Sequence, residues 1–490
     1  MLTGTTRGSD RLDAVARPEL VTGPKRGVEG LLCTQTRVFT KEGTLRILLS
    51  LLVSISSLLC FTVSEAAQTA LDARTVETRV DQWVEPYLEA RDFSGVVLIA
   101  QGDRVLVEKA YGKADFERGV ANRVETRFRI ASLSKALTAA AIERLIAQGK
   151  LSLKDPLSKY VTGIANGDQI TVEHLLSHKS GVGQLDDDDV YRQCFSNEEL
   201  LQRLRKVPPM FTPGIGDHYS NEGYFLLAMI IEKGSGMSFE TFMQKSVFDP
   251  LKLKNTGSTC LSAPPPNAIG YVPGDKPASI LPLPFPEAAH VGPGSLYSNV
   301  RDLYAWLRGV DTNPDFAVDK LEYPYGWGKR NYSGRNLIEQ SGMHEGFNSH
   351  MALYPKEHIY AVVLSNVQSG FFNRIPKDLE AVLFGGKPSQ PPDVRAAVVS
   401  AAVLQEYEGA YKAETIPTPQ NLVVQDGKLF MHWGRYPFLR VLTPTGKDEF
   451  FFRHEYAKVR FVRDDKGGVA KMVWQWLQGD PLTFAPLKLR

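Results

Sequence analysis

The stretch Phe128-Arg-Ile-Ala-Ser132-Leu-Ser-Lys135-Ala-Leu-Thr-Ala-Ala-Ala-Ile142 holds the only Ser-x-x-Lys of this chain. A β-like run, Thr126 to Ile130, gives way there to an Ala-rich amphipathic helix. A serine at the first position of a helix has its hydroxyl beside unpaired backbone N–H groups and the positive end of the helix dipole, which favour developing negative charge. A lysine three residues on lies one turn along the same face, within reach of that hydroxyl. Such a pair can be a nucleophile and its proton acceptor once burial lowers the lysine pKa. A serine N-cap followed by a solvent-facing lysine has the same spelling, so the tetrapeptide needs support from elsewhere.

That support begins at Phe211-Thr-Pro-Gly-Ile-Gly-Asp-His-Tyr219-Ser-Asn221-Glu-Gly-Tyr224, where a Pro/Gly loop delivers Tyr-x-Asn just before a helix expected over residues 225–233. A phenol held near a lysine ammonium can have its pKa lowered and pass protons. An asparagine beside it can grip a substrate amide or carbonyl through both donor and acceptor. A third segment, Ile338-Glu-Gln340-Ser341-Gly342-Met343-His-Glu-Gly-Phe347, carries the small residues of a strand whose backbone lies close to a ligand.

At 490 residues the chain is too long for one core, and two domains behind a leader are expected. It is 43% hydrophobic and 23% charged with a formal net charge of +2, which gives no support to a nucleic-acid binder or a disordered chain. Ile47 to Val63 is an uncharged apolar run after Lys41 and Arg46, followed by Ser64-Glu-Ala66-Ala67. This reads as a signal peptide cleaved before Ala67, with a signal anchor over 47–63 as the alternative, and implies a periplasmic or extracellular protein. Leu59 stands before Cys60 where a lipoprotein signal needs a small residue, so lipidation is not expected. With the leader removed, only Cys194 and Cys260 remain; export permits a disulfide between them, and two buried thiols fit equally well.

The expected organisation is a leader over 1–66, a catalytic domain over 67–384, a Gly/Pro-rich linker over 385–400, and a β-rich domain over 401–490. Helical periodicity marks 75–90, with Val76, Val80, Trp83, Val84 and Leu88 on one face. Alternation marks strands over 93–100 and 104–110 around Gln101-Gly-Asp103, and a second pair over 350–354 and 360–365. The fold class is therefore α+β: an antiparallel sheet built from both ends of the domain, helices on its faces, and a helical insertion between. Short alternating runs such as Gly427–Trp433 and Lys471–Trp476 give the tail as a small all-β sandwich or barrel.

In this order, the three motifs resemble the serine β-lactamase and penicillin-binding-protein superfamily. The resemblance is to its class C β-lactamase-related branch, with D-aminopeptidases, D-alanyl-D-alanine carboxypeptidases and β-lactamase-like carboxylesterases. It covers about residues 92–384 and includes Leu175-Leu-Ser-His-Lys-Ser-Gly181, Phe248-Asp-Pro-Leu251 and Gly292-Pro-Gly-Ser-Leu296. It implies an acyl-enzyme mechanism in which Ser132 attacks a carbonyl, Lys135 and Tyr219 move its proton, and Asn221 holds the substrate. The oxyanion would sit between the backbone N–H groups of Ser132 and Met343. The third motif usually opens with Lys or His, and here that position is Gln340. Loss of that cation disfavours β-lactams and peptides ending in D-alanine, and favours neutral esters or amides. The alternatives are a β-lactamase or D-alanyl peptidase that tolerates Gln340, and a non-catalytic binder of peptides or cell-wall fragments.

There is no Gly-x-Ser-x-Gly elbow, His-Glu-x-x-His helix, Cys-x-x-Cys or P-loop, so the sequence gives no support for a metal or nucleotide cofactor. The expected partner is a small-molecule or peptide substrate, with no nucleic acid, and a membrane only through an uncleaved leader. Asp186 to Asp189 reads as a solvated loop or as an acidic rim disfavouring anionic substrates.

Overall fold

The computed structural model describes residues 70–490, apart from 186–194, 259–266, 277, 283–290, 318–324, 415–418, 434–438, 478–481 and 487–490. The leader, the acidic run and both remaining cysteines lie outside the described residues.

The first sheet has strands β1 (Gly95–Gln101), β2 (Arg104–Tyr111), β3 (Gly328–Tyr332), β4 (Arg335–His344), β5 (Phe347–Tyr354) and β6 (Ile359–Ser365). Its order is β3-β4-β5-β6-β1-β2, antiparallel throughout. The two ends of the catalytic region thus meet in the middle, where Gly95 pairs with Ser365 and Gln101 with Ile359. Both faces are covered, so β1 and β6 are apolar along their length rather than strictly alternating.

Successive residues of these strands feed two separate cores. Val96, Leu98, Tyr360, Val362 and Leu364 join the larger core. There they meet helices α2 (Ser134–Ala147), α3 (Asn221–Ser235) and α4 (Val300–Thr312). Val97, Ile99, Ala361 and Val363 point the other way, onto Trp83, Tyr87, Leu379 and Val382 of helices α1 (Ala73–Glu89) and α5 (Ile375–Phe384). Each fully buried aliphatic side chain in these layers contributes roughly 1.5–3 kcal/mol.

Two expectations for helices are corrected. α2 is not amphipathic at its start: Ser134 to Ile142 are all buried, because alanine lets neighbours approach from every side. The helix expected from Phe225 begins at Asn221, with Ser220 as its N-cap accepting from Gly223 N–H. The side-chain cap turns what reads as loop chemistry into the first turn of α3.

The tail forms a nine-stranded antiparallel sheet over residues 409–486. Its two edge strands, Leu439–Val441 and Thr443–Gly446, are separated in sequence by Leu442 alone. The sheet must therefore curl until its edges meet, which gives a barrel-like closure around Tyr411, Met431, Phe452, Phe461 and Trp474. From Gln68 on, the chain forms one compact unit.

Candidate active site

Ser132 lies in a short 3-10 turn, Ala131–Leu133, and the regular helix begins two residues later than the sequence suggests. The cause is Ala131, whose φ of +49° is left-handed and cannot start a helix. A non-glycine residue held there costs on the order of 1–3 kcal/mol and persists only where its surroundings over-determine it. They do so here. Ile130 N–H donates to Leu296 O at 3.0 Å, and Ser349 Oγ donates to Ile130 O at 2.7 Å. Gln340 Nε2 donates to Ser132 O at 3.2 Å.

Lys135, the second residue of α2 and one turn past Ser132, is fully buried. Its Nζ is 3.1 Å from Ser132 Oγ, 2.8 Å from Asn221 Oδ1 and 3.1 Å from Pro293 O. Burial lowers its pKa to about 7, opposed by the nearby Glu222 carboxylate. Two of its three partners are carbonyl oxygens that can only accept. When the amine is neutral, its two protons go to Asn221 and Pro293, and its lone pair faces the Ser132 hydroxyl, the only partner able to donate. The Pro293 carbonyl is delivered by a glycine: Gly292 has φ +99°, and a Cβ there would lie 2.4 Å from Tyr224 O. Thr138 Oγ1 ties the Gly292 carbonyl at 2.8 Å.

Tyr219 precedes the cap of α3 and places its hydroxyl 2.7 Å from Ser132 Oγ, with its ring 4.6 Å from Lys135 Nζ. His178 packs against that ring at 4.7 Å between centroids, and its Nδ1 accepts from Ser220 N–H at 3.1 Å. Burial, with Lys135 adding, depresses the His178 pKa to about 4, so it stays neutral and an acceptor. Glu222 is fully buried in the first turn of α3 and accepts from Leu185 N–H at 3.0 Å.

The opposite wall is β4. Gln340 and Ser341 are half-buried and Met343 is exposed. Gly342 touches the nucleophile's own turn: a Cβ there would lie 2.4 Å from Ile130 O and 2.9 Å from Ser132 N. β3 pairs with β4 only as far as Gly328 opposite Glu339, which leaves residues 340–344 without a strand on their outer side, facing the cleft. Ser341 Oγ is 2.8 Å from Nδ1 of the buried His350, directly opposite on β5. The open cleft holds about 340 Å³ and is lined by Ser132, Tyr219, Asn221, Arg330, Gln340 and Met343 among others. The Arg330 guanidinium is paired to the buried Glu339 at 2.9 Å, so the cleft's arginine brings its own counter-charge.

The residues named from sequence, Ser132, Lys135, Tyr219, Asn221, Gln340, Ser341, Gly342 and Met343, thus converge on one cleft. His178, Glu222, Pro293, Arg330, Glu339 and His350 join them without having been assigned a role. His178, Glu222, Pro293 and Glu339 stood inside motif segments already singled out, whereas Arg330 and His350 lay outside all of them.

A buried lysine within hydrogen-bond distance of a serine at the start of a helix, facing a strand that crosses the same turn, is a geometry that suits nucleophilic chemistry at that serine. The chain belongs to the β-lactamase family, whose sequence model, described as Beta-lactamase, matches residues 80–383. It is a family of hydrolases with a shared antiparallel-sheet fold that includes esterases. Penicillin-binding protein 4* of Bacillus subtilis (strain 168) is 26% identical over 414 residues, covering 76% of this chain and 91% of that protein. Esterase EstB of Burkholderia gladioli is 29% identical over 294 residues, covering 51% of this chain and 74% of the esterase. The octameric penicillin-binding protein homologue from Pyrococcus abyssi shares the fold with a TM-score of 0.57 at 23% identity, covering 84% of this chain and 100% of that one.

Proposed function

We propose that this protein is an exported serine hydrolase that cleaves esters or amides through an acyl-enzyme on Ser132, with a preference for neutral esters. The observation that carries the reading is the Ser132 hydroxyl within hydrogen-bond distance of both Lys135 Nζ and Tyr219 Oη, with the lysine fully buried. Neutral Lys135 accepts the Ser132 proton as Oγ attacks the carbonyl carbon, and the carbonyl oxygen becomes an oxyanion held by the N–H groups of Ser132 and Met343. Such preorganised donors are typically worth about two to three orders of magnitude in rate. The proton passes through Tyr219 to the leaving alkoxide or amine. Water then enters, gives its proton back along the same pair, and releases the acid and free Ser132.

The ester preference rests on Gln340. Its amide donates to Ser132 O and carries no charge, and the Arg330 charge beside it is balanced by Glu339. Esterase EstB, similar over half of this chain, supports the same reading. The apolar run over 47–63 supports export. The test is hydrolysis of p-nitrophenyl butyrate beside the Ser132→Ala variant, with a matched ester bearing a free carboxylate. Wild-type turnover of the neutral ester that disappears in Ser132→Ala is expected. Gln340→Lys should raise the anionic-to-neutral ratio of kcat/KM by about tenfold, the worth of one charge-assisted hydrogen bond. Equal activity with and without Ser132 would refute the nucleophile, and an unchanged ratio would refute the role of Gln340.

A further inference from the structure

The turn that follows Met343 is held from outside the catalytic domain. β4 ends at His344 and β5 begins at Phe347, so Glu345 and Gly346 make the whole connection. Gly346 N–H donates to Gln368 Oε1 at 3.1 Å, which fixes the backbone. The Glu345 side chain lines no part of the cleft and is buried to 8% exposure. Its partner is Arg440, on the edge strand Leu439–Val441 of the tail's nine-stranded sheet. Arg440 Nη2 donates to both carboxylate oxygens, at 3.4 and 3.3 Å, and is itself only 6% exposed. A carboxylate and a guanidinium taken this far out of water hold each other strongly once both are committed, because either one alone is a buried charge. The pair joins residues 95 positions apart, two residues from Met343.

We propose that Arg440 is a positioning residue for the active site: through Glu345 it fixes the β4–β5 turn, and with it the Met343 N–H that receives the substrate's carbonyl oxygen opposite Ser132. The proposal rests on the acyl-enzyme reading for its catalytic consequence. It gives the C-terminal sheet a part in the reaction without any of its residues touching substrate. A donor misplaced by about an ångström can cost on the order of a hundredfold in rate, so even small loosening of this turn reaches kcat.

The experiment uses the whole protein and the variants Arg440→Met, Arg440→Lys and Glu345→Gln, with Arg453→Met as a control. Arg453 forms a second buried ion pair among the described residues of the tail, with Asp92 at 2.6 Å, and lines no part of the cleft. Steady-state kinetics on p-nitrophenyl butyrate, at a temperature where each variant is folded, is read beside amide hydrogen exchange of residues 342–347. Arg440→Met and Glu345→Gln should lower kcat at least tenfold with KM within about twofold, and speed exchange of that turn. Arg440→Lys should fall between them and wild type, and Arg453→Met should lower Tm with kcat within about twofold. A kcat that follows Tm across all four variants, or a turn whose exchange is unchanged in Arg440→Met, would overturn the proposal. Absence of turnover in wild type would instead overturn the acyl-enzyme reading, while faster exchange in the Arg440 variants would still uphold the clasp.

Discussion

Lys135 is asked to do what an ordinary lysine cannot. At a pKa near 10.4 an amine is protonated at neutral pH and has no lone pair to offer. Burial brings Lys135 to about 7, which leaves roughly half of it neutral at pH 7 and most of it neutral above pH 8. The sign follows: below pH 7 the lysine holds its proton and cannot take one from Ser132. The kcat/KM for an uncharged ester should therefore rise with pH through about 7 and level off above it. His178 cannot be the source of that limb, since its pKa lies at about 4. Glu222 favours the charged amine, so Glu222→Gln should move the limb to lower pH. A pH–rate profile in wild type and Glu222→Gln checks both statements; a flat wild-type profile from pH 5.5 to 9 would remove Lys135 as the proton acceptor.

Among the elements, the crossing of β4 over the Ser132 turn is the contact on which the site depends. Gly342→Ala would put a methyl 2.4 Å from Ile130 O and 2.9 Å from Ser132 N, both backbone atoms. The strand must then lift from the turn, at a cost of about 1–3 kcal/mol in stability and a far larger fractional loss of kcat. Urea unfolding and kcat measured on the same preparation check this, and a variant losing stability without losing kcat would contradict it. Gly342 was legible because small residues in a strand mark close approach; β1, β2 and β6 were legible because their β-branched residues alternate or run together, and residues 350–354 of β5 because an apolar run leads there into a turn. β3, Gly-Lys-Arg-Asn-Tyr332, was not: it is a polar strand that, among the described residues, pairs only with β4 at the edge of the sheet. The start of α3 was missed because Tyr219-Ser-Asn221 spells a turn, and a serine N-cap uses the same residues. His350 reaches Ser341 only through strand register, and Glu222 reaches the site only through the packing of α3 on α2. No spacing within one segment encodes either.

At the scale of the molecule, the two sheets are joined by buried charge as well as by apolar contact. Phe451 and Tyr456 of the tail pack in the same core as Trp83 and Phe371. Asp92, just ahead of β1, is almost wholly buried between Arg453 at 2.6 Å and Tyr456 Oη at 2.8 Å. Arg453 also donates to the carbonyls of Ala90 and Ser279, at 2.8 and 2.9 Å, and its own carbonyl accepts from Gly370 N–H at 2.8 Å. The tail can hardly unfold while this arginine stays in place, and the first sheet would be left with an uncompensated Asp92 if it did. Wild type should therefore melt in one calorimetric transition. Arg453→Met strands Asp92 without its counter-charge, for which about 3–5 kcal/mol of lost stability is expected. Asp92→Asn/Arg453→Met removes both charges together and should recover most of that loss, because the cost lies in the orphaned ion. Two separate transitions in wild type, or a double variant as unstable as Arg453→Met alone, would mean that the sheets fold independently and that the ion pair is not what couples them.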